Sequence, residues 1–139
     1  MATTTATITL ASSDIADNSI SISNTATLTK AGSTTGLDQT SGLRRRTFTS
    51  ASTVKLIDLD HYQDQTLTEN KAAKVYIKNM NDRGDGTKYV NILLAAVEIG
   101  RLYGGDWMFI PWCAASGKDI EFTASDTTET TLEYTCFYE

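Results

Sequence analysis

The stretch Trp107-Met108-Phe109-Ile110-Pro111-Trp112 is apolar at every position but Pro111. Side chains on a strand alternate between its two faces, so a strand built from it needs cover on both. The stretch holds both tryptophans and the only proline of the chain. It is preceded by a Gly104-Gly105 turn and, before that, by a second extended run, Glu98–Tyr103. A strand of this kind is expected at the centre of a sandwich or against a neighbouring subunit. It points to a packed β module that works by contact.

The rest of the chain supports an all-β reading. Serine and threonine make up about a quarter of the 139 residues. Threonine is β-branched and suits pleated, half-exposed surfaces. Residues 1–30 alternate: Ala6, Ile8 and Leu10 fall on one face and Thr5, Thr7 and Thr9 on the other. Ile20 and Ile22, then Ala26 and Leu28, alternate with serines and threonines in the same way. Period two marks a half-buried strand. These strands carry too few large apolar side chains for a core of their own. They are expected to add to another sheet or to lie along a partner as an arm.

Residues 31–42 form a Gly/Ser/Thr loop, the best boundary in the sequence. Beyond it, strands are predicted at Leu43–Phe48, Val54–Leu59, Ala73–Lys78, Tyr89–Leu94, Val97–Tyr103 and Trp107–Cys113. Two more are marked by Ile120, Phe122 and Ala124, and by Leu132, Tyr134, Cys136 and Tyr138. Ile92–Ile99 has helical propensity but no N-cap, and is read as strand. Seven to nine strands at this spacing suit a sandwich or barrel.

The net charge of −5 is unevenly distributed. All twelve Lys and Arg lie between residues 30 and 118, and residues 119–139 hold six acids and no base. Nucleic-acid binding needs a basic face and is not expected. The acidic C-terminal strands suit a basic protein partner. Asp119, Glu121 and Glu133 face away from the apolar side of their strands, toward solvent. Met1–Leu10 has neither the basic region nor the apolar run of a secretory signal. Ile92–Val97 is too short to span a bilayer. A soluble protein made in a cytoplasm, without membrane contact, is expected.

Little in the chain suggests chemistry. His61, the only histidine, sits among Asp58, Asp60 and Asp64, but the spacing fits no metal-ligand pattern. A strand end and a polar loop account for it. One histidine and no Gly-x-Ser-x-Gly leave a nucleophilic triad unsupported. Asn81–Gly86 includes Arg83-Gly84-Asp85, which reads as an ordinary turn. Cys113 and Cys136 read as two buried thiols that nothing obliges to pair. No enzyme activity, cofactor or metal is expected.

Contact residues are easier to nominate. Arg44-Arg45-Arg46 is the only dense basic cluster, fit to bind phosphate or the acidic surface of a partner, or else to blunt a solvated strand edge. Tyr103, Trp107, Phe109 and Trp112, with Arg101, are candidates for core or subunit interface. A sugar-stacking platform is the alternative use of those aromatics.

Several segments carry a resemblance: Asn24–Gly32, Gly42–Thr47, Ala73–Asn79, Tyr89–Ile92, Ile99–Trp107 through Pro111-Trp112, and Leu132–Tyr134. Together they resemble small virion structural proteins of tailed bacteriophages, particularly phages of marine bacteria and cyanobacteria. The resemblance implies a β-sandwich or jelly-roll module that decorates a capsid or builds tail and fibre parts, often as a homotrimer. It brings no catalytic residues with it.

The expected protein is therefore all-β. An antiparallel β-sandwich or jelly-roll-like domain, residues 43–139, follows a Thr/Ser-rich N-terminal arm and loop, residues 1–42. The expected role is capsid decoration, cementing shell subunits in a virion assembled in the host cytoplasm. Its partners are then copies of itself and the major capsid protein or another virion protein. A tail, neck or fibre component and a carbohydrate-binding module are the alternatives.

Overall fold

The structure, a computed structural model, describes residues 3–15, 18–49, 51–65, 67–68, 70–84, 86–127 and 129–139. Its strands are β1 (Thr5–Ser12), β2 (Ile20–Thr27), β3 (Gln39–Thr40), β4 (Arg44–Phe48), β5 (Val54–Ile57) and β6 (Ala73–Asn79). They continue as β7 (Tyr89–Leu94), β8 (Val97–Tyr103), β9 (Trp107–Trp112), β10 (Ile120–Ala124) and β11 (Thr130–Tyr138). One short 3-10 helix, Leu59–Gln65, follows β5. The fold is all-β, with antiparallel sheets.

Four pairings are nested: β7 with β8, β6 with β9, β5 with β10, and β4 with β11. The chain from β4 to β11 is thus one long hairpin whose closed end is Ala95-Ala96. It is rolled so that successive pairs fall alternately in two sheets, ordered β5-β10-β7-β8 and β4-β11-β6-β9. The short β3 continues the edge of β11 beyond β4.

Strand alternation then sets the core. Ala73, Val75 and Ile77 of β6 and Leu132, Tyr134, Cys136 and Tyr138 of β11 face inward from one sheet. Val90, Ile92, Leu102, Ile120 and Phe122 meet them from the other, in one buried cluster. Phe48 packs edge-on against Phe122 with ring centres 4.1 Å apart, joining β4 to the opposite sheet. The arrangement is β-sandwich-like.

The sheets are tied at one end by a polar knot. Asn79 is fully buried, and its Nδ2 donates to the Leu102 carbonyl across the two sheets. Its Oδ1 accepts from Asn81 N, and Asn81 Oδ1 in turn accepts from Thr131 N. Gly105 N donates to the Asn79 carbonyl, and Asn79 N to that of Asp106. The Gly104-Gly105 turn is thereby pressed onto the backbone of Asn81 and Asp82.

Three expectations are corrected here. β9 is an edge strand, not a central one, because Pro111 has no N–H to give to a second neighbour. The predicted strand Val54–Leu59 ends at Ile57, and the polar loop after it is the 3-10 helix. Asp58 Oδ1 accepts from Asp60 N there, while Leu59 and Tyr62, three residues apart, turn into the core. Cys113 is exposed just past β9, whereas Cys136 is buried as expected.

Ile92–Ile99 is strand on both sides of a two-residue turn. Ala95 and Ala96 have φ of 52° and 62°, the sign that a type I′ turn demands at both positions. The alanine Cβ makes this left-handed conformation costly. The double substitution Ala95→Asn with Ala96→Gly is expected to stabilise the fold by about 1 kcal/mol or more, read as a rise in melting temperature.

Cys136 also shapes the alkaline response. Burial pushes its thiol up from 9.0 to about 12. Between those values the folded chain keeps a proton that the unfolded chain releases, so stability falls as pH rises. The expected slope is at most about 1.4 kcal/mol per pH unit. Burial also raises Tyr62, Tyr76 and Tyr138, in the same direction. Chemical unfolding at about pH 8 and about pH 10.5, on either side of the ordinary thiol value, reads the difference, and Cys136→Val is expected to flatten it.

Residues before β3 form a separate two-stranded sheet. β1 and β2 pair in unbroken register from Thr5↔Thr27 to Ser12↔Ile20. The hairpin is rooted by Leu28 and Leu37, both buried, with Leu37 N donating to the Leu28 carbonyl. Lys30, just before the Gly/Ser/Thr loop, holds Asp38 within it at 2.6 Å.

Candidate interaction surfaces

The eight nominated contact residues separate into five places. Alternation along β4 sends Arg44 and Arg46 to one side and Arg45 to the other. Arg44 and Arg46 line a cleft of about 330 Å³ between the edges of the two sheets, with Lys55, Asp58, His61 and Tyr62. Arg44 Nε donates to the Ser41 carbonyl, and Arg46 Nη1 to the Lys55 carbonyl. The Arg46 guanidinium also lies 4.8 Å over the Phe48 ring. It staples the β4 edge of one sheet to the β5 edge of the other.

Lys55 is engaged in the same cleft. Its Nζ lies 2.7 Å from Asp119 and 3.3 Å from Asp58. The Asp119 bond, then that of Asp58, holds the Lys55 ammonium above its usual value. Asp58 is held below the usual carboxylate range, first by the backbone N–H of Asp60 and then by Lys55. The cations of this cleft therefore close the open edge between the sheets.

Arg45 lies on the outer face of the five-stranded sheet, where its Nε donates to Glu133 Oε2 at 2.8 Å. Glu133 is not in solvent, as alternation predicts, but buried beneath this pair. Asp119 and Glu121 are likewise engaged: Asp119 Oδ1 accepts from Leu59 N, and Glu121 Oε2 from Ala96 N. Alternation alone could not reveal these partners, which come from distant parts of the chain.

One row across this outer face runs Arg45, Glu133, Lys78, Trp107. Trp107 and Phe109 lie at its β9 edge with Tyr76, whose ring is 6.4 Å from that of Trp107. Trp107 is 51 % exposed. The base of the N-terminal hairpin lies over this corner. Ala6, Thr7 and Ile8 face Tyr76, Lys78, Trp107 and Phe109 across a groove of about 390 Å³.

Trp112, by contrast, belongs to the core. Its Nε1 donates to the Lys118 carbonyl at 2.7 Å, and its ring meets Tyr62 edge-on. Arg101 and Tyr103 sit on the outer face of the other sheet. Arg101 stacks 4.0 Å over Tyr89 and donates from Nε to Asn91 Oδ1. A hydrogen bond to Tyr103 holds its guanidinium above its usual value.

The surface from which the sequence reading nominates no contact residue, though it expects an arm there, is the outer half of the hairpin. Leu10 and Ile22 are cross-strand partners on its apolar face, 55 % and 52 % exposed. Ile20 extends the patch, and Ile15 at the tip is 83 % exposed. The sequence does carry its signal: large aliphatics alternating with hydroxyls in strands that hold no charge.

Among the described residues, no three His, Cys, Asp or Glu side chains are grouped to hold a metal ion. Asp85 of the Arg-Gly-Asp turn and the side chain of Asp64 lie outside the described residues. Arg83 of that turn donates to the Gly105 carbonyl and lies 3.6 Å from Asp106. No described helix is long and apolar enough to cross a membrane. No protein-family model, curated protein or solved structure matches the chain.

Proposed function

We propose that this chain is a structural protein of a bacteriophage virion and acts by contact, most specifically as a capsid decoration protein. The observation that carries the contact role is the N-terminal hairpin, whose apolar face is half laid over its own sheet and half uncovered. A soluble chain does not keep Leu10, Ile15, Ile20 and Ile22 together on a projecting element without use for them. The phage setting comes from the sequence resemblance.

Strand order supports the setting by analogy. We read the eight nested strands β4–β11 as a jelly roll, a double-sheet architecture that viral capsid domains use. Fold analogy alone does not assign function. The mechanism is mechanical: many copies, each bound weakly, hold neighbouring shell subunits together through effective concentration. The β1–β2 hairpin supplies the contact arm, and the two sheets from β3 onward the body that spaces it.

Gold-labelled antibody against the protein, applied to purified particles, tests the assignment. Labelling over the whole shell is expected. Label confined to a tail or neck would move the protein to that part, and unlabelled particles would remove the virion reading.

One feature favours a carbohydrate-binding module instead, the groove where Tyr76, Trp107 and Phe109 meet. Because Trp112 is buried, a bound sugar would act on fluorescence through Trp107. The decoration reading predicts no spectral shift with any glycan, and a saturable shift would support the module.

A further inference from the structure

We infer that the β1–β2 hairpin is an unfinished sheet, completed by edge-to-edge pairing with the same hairpin of a second copy of this chain. The inference rests on the hairpin being a contact surface, but not on the virion setting.

The argument starts from sheet edges. An unpaired strand edge presents free N–H and C=O groups, and proteins blunt such edges with proline, bulges, charge or shortness. This molecule blunts every edge of its two main sheets. β9 carries Pro111. β8 is bulged at Ile99, where its register with β7 shifts. β4 carries three arginines, while β5 has four residues including Lys55 and β3 has two.

The hairpin has none of these devices. Thr5–Ser12 and Ile20–Thr27 contain no charged residue, no proline and no glycine. Their register is continuous over eight pairs. β2 is exposed at all eight positions. Among the described residues, no other strand pairs with either. A two-stranded sheet alone is marginal in water, and further strands with a shared apolar face stabilise it.

Every copy of the chain carries the same unblunted edge and the same apolar face, which makes a second copy the fitting partner. The net charge of −5 opposes contact between copies elsewhere. The hairpin strands are neutral, and pairing two of them places no like charges together. Joined along β2, two hairpins form a four-stranded sheet on which Leu10, Ile20 and Ile22 of both copies share one face. The Thr7–Thr25 hydroxyl pair, 2.9 Å apart, marks the opposite, polar face.

The test is the solution mass of the full chain by light scattering across a concentration series. An assembly of two or more 15.1 kDa chains is expected. Ile22→Lys puts a charge on the open face and is expected to weaken association about tenfold or more, with the near-ultraviolet circular dichroism of the buried Trp112 core unchanged. Ile22→Glu alone should do the same, and mixing the two variants should restore the assembly. A wild-type monomer at all concentrations would overturn the inference. So would an assembly indifferent to both substitutions, or one that the mixture fails to restore. A monomer that still labels particles sinks this pairing alone, whereas an assembling protein absent from particles sinks the virion reading alone.

Discussion

Gly104→Ala is expected to cost about 3 kcal/mol or more, read as a clearly lower urea midpoint. A Cβ on Gly104 would fall inside contact of the Asp82 carbonyl oxygen, 2.6 Å from its carbonyl carbon and 2.8 Å from the Asn81 carbonyl oxygen. All three atoms are backbone, so no rotamer change relieves the clash. The segment they belong to is held by Asn79 and Thr131, and moving it breaks hydrogen bonds of a buried asparagine. Gly86→Ala is the control. Its Cβ would meet nothing within 4 Å and its φ lies outside the left-handed range, so little change is expected. Urea unfolding of the two variants measures both. Equal midpoints would show that the β8–β9 turn is not pressed onto the β6–β7 loop.

Phe122→Ala is expected to cost about 3–5 kcal/mol, or roughly 10–15 °C in melting temperature. Phe122 is fully buried on β10, between β5 and β7. Its ring is the direct bridge to Phe48 in the facing sheet, so truncation opens a cavity between the layers. The hairpin lies on the far side of the five-stranded sheet and is expected to keep its own pairing. Calorimetry checks the loss. A change under about 1 kcal/mol would mean that the two sheets do not share this core.

The strand map is legible because period two is a local signal. Alternation alone turns Val75 and Ile77, Phe122 and Ala124, and Leu132, Tyr134, Cys136 and Tyr138 inward, and all are buried. What escapes is non-local. Ala95-Ala96 carries no turn signal because neither residue favours positive φ, and the turn is imposed by the strands on either side. The apolar excess of β9 suggests a central strand. Its outer face instead lies partly under a hairpin far earlier in the chain. Pro111 is the local evidence for an edge and outweighs composition.

The candidate surface is legible in part. Arg44-Arg45-Arg46 is one cluster in sequence but two surfaces in space, because β4 is a strand and its neighbours point apart. Trp107 and Trp112 differ in fate for a related reason. At odd spacing on one strand, they fall on opposite faces, one exposed and one in the core. The thin strands of residues 1–30 call for a partner sheet or a partner protein. The structure pairs them only with each other among the described residues, and leaves Leu10 and Ile22 uncovered.

The most direct measurement of the central claim is the amount of this protein in purified particles, by quantitative mass spectrometry against the most abundant shell protein. A protein that cements a shell is predicted at a constant ratio to that shell protein, with many copies per particle. A chain found only in the particle-free fraction, with none retained on the shell, would contradict the account.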